Sequence, residues 1–223
     1  MFLYFFHSEI PCRTLFPAQS LRVDTYVRNK QRYLGTIDSR NSLKQKLFKE
    51  EFKKLLDDDK KFVKSSSFNT LIHIVDNKPE DLELVVRGLR KLREYQRHVG
   101  LVEYEFGPIV MRMFHHLNLP DSALQCVNDP TVSDYFTSFA ANTVLADLLY
   151  ENQRYQDVLN LLESITKTPN FYPKAVVAIA SVACCKMVST IGQAPSPILL
   201  NSVIHLEHTS CIELCEKSGP EVF

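Results

Sequence analysis

The 223-residue chain is 45% apolar and 23% charged, and its 26 basic and 26 acidic side chains cancel to a formal net charge of zero. Such a composition suits a soluble globular protein long enough to bury a sizeable core, as one domain or an elongated array. It supplies no global positive field to attract nucleic acid, and six glycines with no tryptophan argue against a Gly-rich phosphate loop or a turn-dense β fold.

The charge is unevenly placed. Residues 1–49 hold nine Lys/Arg against three acids, which makes that segment +6 and the remainder −6. No stretch approaches the ~18 apolar residues of a membrane-spanning helix. "MFLYFF" is too short for a signal sequence and lacks a positive segment before it. Residues 1–21 read as irregular or as a targeting segment. An Arg-rich, acid-poor start is what a mitochondrial transit peptide shows, although Glu9 and Asp24 interrupt it; a disordered arm is the alternative. The six cysteines, at 12, 126, 184, 185, 211 and 215, form no disulfide-scaffold pattern and fit reduced thiols inside a cell.

Residues 22–66 form a basic flank with helical character. Leu43, Leu47, Phe48, Phe52, Leu55, Leu56, Phe62 and Val63 trace a helical stripe through it. Within it, "LLDDDKK" (55–61) reads as a solvated helix face, since adjacent helix positions diverge by about 100° and cannot converge on one ion.

From residue 67 the chain alternates helical segments with short connections. "SFNTLIHIVDN", "PEDLELVVRGLRKLREYQRHV", "FGPIVMRMFHHLNL", "PDSALQCVND", "DYFTSFAANTVLADLLYEN", "QRYQDVLNLLESI", "PKAVVAIASVACCKMVSTI" and "SPILLNSVIHLEHTSCIELCEK" are eight predicted helices, and no alternating strand pattern intervenes. Two of the second-in-pair segments open with Pro followed by acids, the signature of a helix N-terminus. Laying Thr143–Ile165 over Pro108–Pro130 places Leu119 on Arg154 and Ala123–Leu124 on Val158–Leu159, an offset of 35; Asn69 opens an earlier unit 39 residues before Pro108, and a further unit starts near Ala178. A two-helix period in the mid-thirties predicts an all-α fold, an α-solenoid in which each hairpin buries its stripe on its neighbours. The array is expected over 67–217, followed by a tail at 218–223. Ala123 and Val158 should occupy equivalent buried places.

Two repeat families share that period. The tetratricopeptide pattern is missing its Trp and its Gly–Tyr spacing. "FNTLI" (68–72), "PDSALQ" (120–125), "YQDVLNLLE" (155–163) and "FYPK" (171–174) resemble the opening, the second helix and the closing proline of the pentatricopeptide repeat. The chain resembles that family over about residues 67–190, and the flank at 22–52 further resembles a mitochondrial member of it.

The resemblance implies a non-catalytic protein that binds single-stranded mitochondrial RNA and assists transcript processing, with two side chains per repeat reading one base in a positive groove. The first-reader places fall on Asn69, Pro108 and Thr143, and the second near Glu103, Ser138 and Lys174. Asn69 and Thr143 carry the amide and hydroxyl that a base edge needs, and Pro108 carries neither. Asn69 as a helix N-cap is the competing reading. Lys53 and Lys54 in the flank, with Lys174, would hold phosphates. The alternative is a scaffold docked on ribosomal or RNA-processing proteins, which the neutral charge and the few suitable readers favour.

Other constellations carry less. His205, His208, Cys211 and Cys215 lie along one helix face, but four ligands over three turns cannot all reach one ion. Cys184–Cys185 read as close helix packing. His115 and His116 point in different directions and read as a solvated helix end. No hydrolase triad, zinc-protease or Walker pattern is present, and neither a cofactor nor a metal is expected.

Overall fold

The computed structural model describes residues 21–36, 42–58, 60–99, 106–166 and 174–191. Among them are nine α-helices, one 3₁₀ turn and no strand: α1 (Val23–Thr36), α2 (Ser42–Asp57), α3 (Ser65–Ile74), α4 (Pro79–Val99), α5 (Gly107–Leu117), α6 (Pro120–Asn128), the 3₁₀ turn Ser133–Phe136, α7 (Phe139–Glu151), α8 (Tyr155–Thr166) and α9 (Lys174–Ile191). The eighth predicted helix, the segment 1–20 and the tail at 218–223 lie outside the described residues, as do His205, His208, Cys211 and Cys215.

Helices α3/α4, α5/α6 and α7/α8 are successive hairpins, and α9 opens a fourth. The first helices form a continuous layer, α3 on α5, α5 on α7 and α7 on α9, with the second helices packed along one side. One apolar core runs through the array from Leu21 to Met187.

The step of 35 is written into the turns. Asn118 and Gln153, 35 residues apart, both adopt the left-handed backbone conformation, with φ of 54° and 59°. After each, the chain closes the same bond: Leu119 N–H donates to Phe114 O at 3.0 Å and Arg154 N–H to Leu149 O at 2.9 Å. This pairing satisfies carbonyls that a helix end leaves open. Ala123 and Val158, both fully buried, follow at the same step. Polar contacts tie the two turns together across the repeat, Asn152 Nδ2 donating to Asn118 Oδ1 at 2.6 Å and the Arg154 guanidinium pairing with Asp121.

The segment 134–152, expected as one helix, divides in two. Ser138 is extended and its hydroxyl accepts from Ala141 N–H at 3.4 Å, so α7 starts after it. The preceding turn is held by tertiary contacts instead. Tyr135 Oη donates to Gln96 Oε1 at 2.6 Å, the Arg93 guanidinium lies 5.1 Å from the Tyr135 ring centre, and Phe136 is buried.

The flank folds back as two helices on the first hairpins. α1 lies on α3 and α5, against the layer of first helices, while α2 packs on α4. Lys91 donates to the carbonyls of Leu55, Leu56 and Asp58 at 2.7–3.1 Å, a cation placed at the negative end of α2. The stripe expected here is only half used: Phe52, Leu56 and Val63 are buried, whereas Leu43, Leu47 and Phe62 are exposed. "LLDDDKK" is a helix end rather than a solvated helix face. α2 stops at Asp57, which pairs with Arg87 at 2.6 Å, and Asp58 pairs with Lys61.

Candidate nucleic-acid interface

The two expected base readers occupy matching places in the first-helix layer, each the fifth residue of its helix. Asn69 is therefore not an N-cap, since α3 begins at Ser65 behind Lys64. Its amide donates to Tyr33 Oη of α1 at 3.0 Å. Thr143 is buried and its hydroxyl donates to Phe139 O, one turn back, at 2.8 Å. Pro108 sits in the first turn of α5.

One turn further along the three helices stand His73, Arg112 and Asp147, and each has a partner from inside the chain. The His73 ring is stacked between Tyr26 and Tyr33, with centroids 5.2 and 4.7 Å away. Its Nδ1 lies 2.7 Å from Asn69 O; a carbonyl only accepts, so Nδ1 carries the proton. Arg112 Nε donates to Leu21 O at 2.8 Å. Tyr26 Oη donates to Ile72 O at 2.9 Å and Lys30 Nζ to Val75 O at 2.8 Å, closing α1 over α3. This cover was not foreseen from the sequence. Its trace is the spacing of Tyr26, Lys30 and Tyr33, which puts an amphipathic aromatic stripe on one helix face.

Burial chiefly, with the Lys30 charge adding and the Asn69 carbonyl opposing, pushes the His73 pKa down. His116, whose ring centroid is 5.7 Å from that of Tyr26, is lowered by burial first and then by Lys30 and His115. A histidine whose folded pKa is depressed is held neutral by the fold. Its contribution is complete above its ordinary value of about 6.5 and is lost as pH falls below it. We therefore expect hydrogen-exchange protection of residues 23–36 to fall as pH drops below that point, ahead of residues 139–166. Equal loss in both regions would contradict this.

The remaining candidates lie elsewhere. Ser138 and Lys174 stand at the N-terminal ends of α7 and α9, the first half-buried and the second exposed, along one edge of the array. Lys53 and Lys54 are exposed on α2, which packs on the second-helix side at α4. The six residues thus do not converge on one site. Glu103 lies outside the described residues. Many of the basic side chains of α4 are matched internally: Arg87 by Asp57, Arg90 by Asp129, and Arg93 and Arg97 by Asp134.

His115 is not at a solvated helix end. Its side chain is 11% exposed, with Nε2 2.9 Å from Asp147 Oδ2 and 3.6 Å from Glu151 Oε2. Cys184 is buried and Cys185 exposed. The buried Cys126 thiol is pushed up to about 12, by burial first and then by Asp129, which leaves it unreactive.

Curated relatives have been found for this arrangement. A mouse protein is 25% identical over 127 residues, covering 57% of this chain and 33% of its own, and a human protein 23% identical over 185 residues, covering 81% and 47%. A Xenopus laevis protein is 25% identical over 118 residues, covering 53% and 31%. All three are named pentatricopeptide repeat-containing protein 2, mitochondrial. The chain is similar to pentatricopeptide repeat-containing protein 2. It spans about a third to a half of the length of these relatives. No family model and no solved structure matches it. The similarity accords with the helical hairpins and with a mitochondrial location. Among the described residues no helix is long and apolar enough to cross a membrane.

Proposed function

We propose that the chain is a mitochondrial protein that binds single-stranded RNA and assists transcript maturation, without a catalytic centre of its own. The observation that supports this most is the stack of two-helix units, the second and third at a step of 35 with matching left-handed turns at Asn118 and Gln153, in a chain similar to proteins named for the pentatricopeptide repeat. The edge that carries Ser138 and Lys174 offers a hydroxyl and a cation at successive units, and Lys53 and Lys54 add exposed charge on the flank. Asn69 and Thr143 read bases in this proposal, Asn69 on release from Tyr33 and Thr143 on exposure of its buried hydroxyl, now donated to Phe139 O.

A second reading has its own support. The contacts of α1 with Asn69 and His73, and of the preceding Leu21 with Arg112, cover the first-helix layer at the first two units. A scaffold for RNA-processing or ribosomal proteins needs no open reader row there.

Titration of the purified chain with single-stranded RNA at two salt concentrations separates the two. Replacing Lys53, Lys54 and Lys174 with alanine should weaken all RNAs alike and flatten the salt dependence, as loss of phosphate contacts does. Alanine at Asn69, Thr143 or Ser138 should cost about 1–3 kcal/mol at one base only. Uniform loss without base preference keeps RNA binding and discards the code. No binding at low salt leaves the scaffold.

A further inference from the structure

Three side chains meet where the second hairpin joins the third. His115 comes from the last turn of α5, and Asp147 and Glu151 stand one turn apart on α7. Their offered ligand atoms all lie within 4.8 Å of one another. Ligands at 2.0–2.2 Å around a tetrahedral ion are separated by about 3.3–3.5 Å. The His115 Nε2 distances of 2.9 Å to Asp147 Oδ2 and 3.6 Å to Glu151 Oε2 bracket that spacing. The two separations from His115 are thus near a coordinating spacing, and the two carboxylates lie within 4.8 Å of each other.

A hydrogen-bonded His–carboxylate pair accounts for part of this arrangement and leaves one feature unexplained. Asp147 is fully buried, and its Oδ1 has no hydrogen-bond partner. A buried carboxylate oxygen without a partner is costly. An imidazolium at Nε2 answers Oδ2 and leaves Oδ1 as it stands. A divalent cation can draw on either or both oxygens of a carboxylate, and it balances the two negative charges that Asp147 and Glu151 bring together. Glu151 is the partly exposed member, at 25%, and gives an ion a way in from solvent.

We propose that His115, Asp147 and Glu151 form a divalent-metal site that ties α5 to α7 across the hairpin boundary. One imidazole nitrogen with two carboxylates selects a borderline ion such as zinc, or manganese, over magnesium, which takes oxygen ligands in a near-ideal octahedron. Three protein ligands leave a fourth position for water. The site clamps two first helices, so the ion stabilises the array. This proposal is independent of the RNA reading, and its test contains no RNA.

The test is calorimetric titration of the full chain, stripped of metal by chelator, with zinc chloride, with manganese chloride and with magnesium chloride. Thermal unfolding is followed alongside. The expected result is one equivalent of zinc that raises Tm and is lost in His115→Ala, with at least a tenfold weaker affinity in Glu151→Gln. Magnesium should bind at least a hundredfold more weakly. Asp147→Asn carries the risk of misfolding, so His115→Ala and Glu151→Gln, checked for unchanged helicity, decide the matter. If the wild-type chain takes up neither zinc nor manganese, the site does not exist. If both variants retain every equivalent with unchanged affinity, the ion binds elsewhere and the proposal fails.

Discussion

Leu148→Asp unfolds the neighbouring hairpins together with its own rather than one hairpin alone. Leu148 is fully buried in α7, the helix that packs on α5, α6, α8 and α9. Losing a buried leucine side chain costs about 2–5 kcal/mol. The incoming carboxylate then lies at a fully buried place in the apolar core. The sum is at least about 5 kcal/mol, comparable with the whole stability of a typical domain. In a solenoid each hairpin is stabilised by its neighbours, so removing the third unit's core also exposes faces of α5 and α9. Native-state hydrogen exchange should show protection lost from 107 to 187 together. Loss confined to 139–166 would falsify this coupling.

Gly107→Ala is expected to destabilise by about 3 kcal/mol or more, in the direction opposite to helix propensity. Replacing a glycine inside a helix with alanine normally gains about 0.5–1 kcal/mol. Gly107 is the first residue of α5, where it meets the 3₁₀ turn, and a Cβ there would stand 1.7 Å from Tyr135 O and 2.6 Å from Tyr135 C. The obstacle is backbone, held in place by the Tyr135–Gln96 bond and the Arg93 guanidinium. It cannot rotate aside as a side chain can, so the turn and its anchors must shift; overpacking of a core costs about 1–3 kcal/mol before such a backbone displacement is added. Gly35 supplies the control. A Cβ there meets nothing within 4 Å, and Gly35→Ala should be neutral or stabilising. Chemical denaturation of the two variants beside the parent measures both effects. Equal stabilities for Gly107→Ala and Gly35→Ala would show that the close approach is not maintained in solution.

The repeat could be read from the chain because its cause is local and periodic. Apolar stripes with helical spacing, Pro and acid at helix starts and a polar gap between paired helices recur at 35 residues, and any fold that buries them must stack hairpins. That register carried Ala123 and Val158 to equivalent buried places. Where tertiary contacts outweighed local preference, the reading stopped. The 134–152 segment has helical character throughout, but Tyr135 and Phe136 are captured by α4 and α5, and the helix waits for Ser138. The site residues show the same limit. Spacing placed Asn69 and Thr143 at matching positions in the first-helix layer. What faces them is set by residues 36 positions away, as with Tyr33 on Asn69, or by a carbonyl one turn back, as with Thr143.

The sequence by itself determined the all-α repeat, its step and the pairing of helices, because those follow from the period and chemistry of neighbouring residues. Only the tertiary structure decided that α1 lies across the first-helix layer, that the arginines of α4 are spent on acids from α2 and the next hairpin, and that His115 meets Asp147 and Glu151. Each of those depends on side chains far apart in the chain arriving at one place, and the packing of whole helices sets where they arrive.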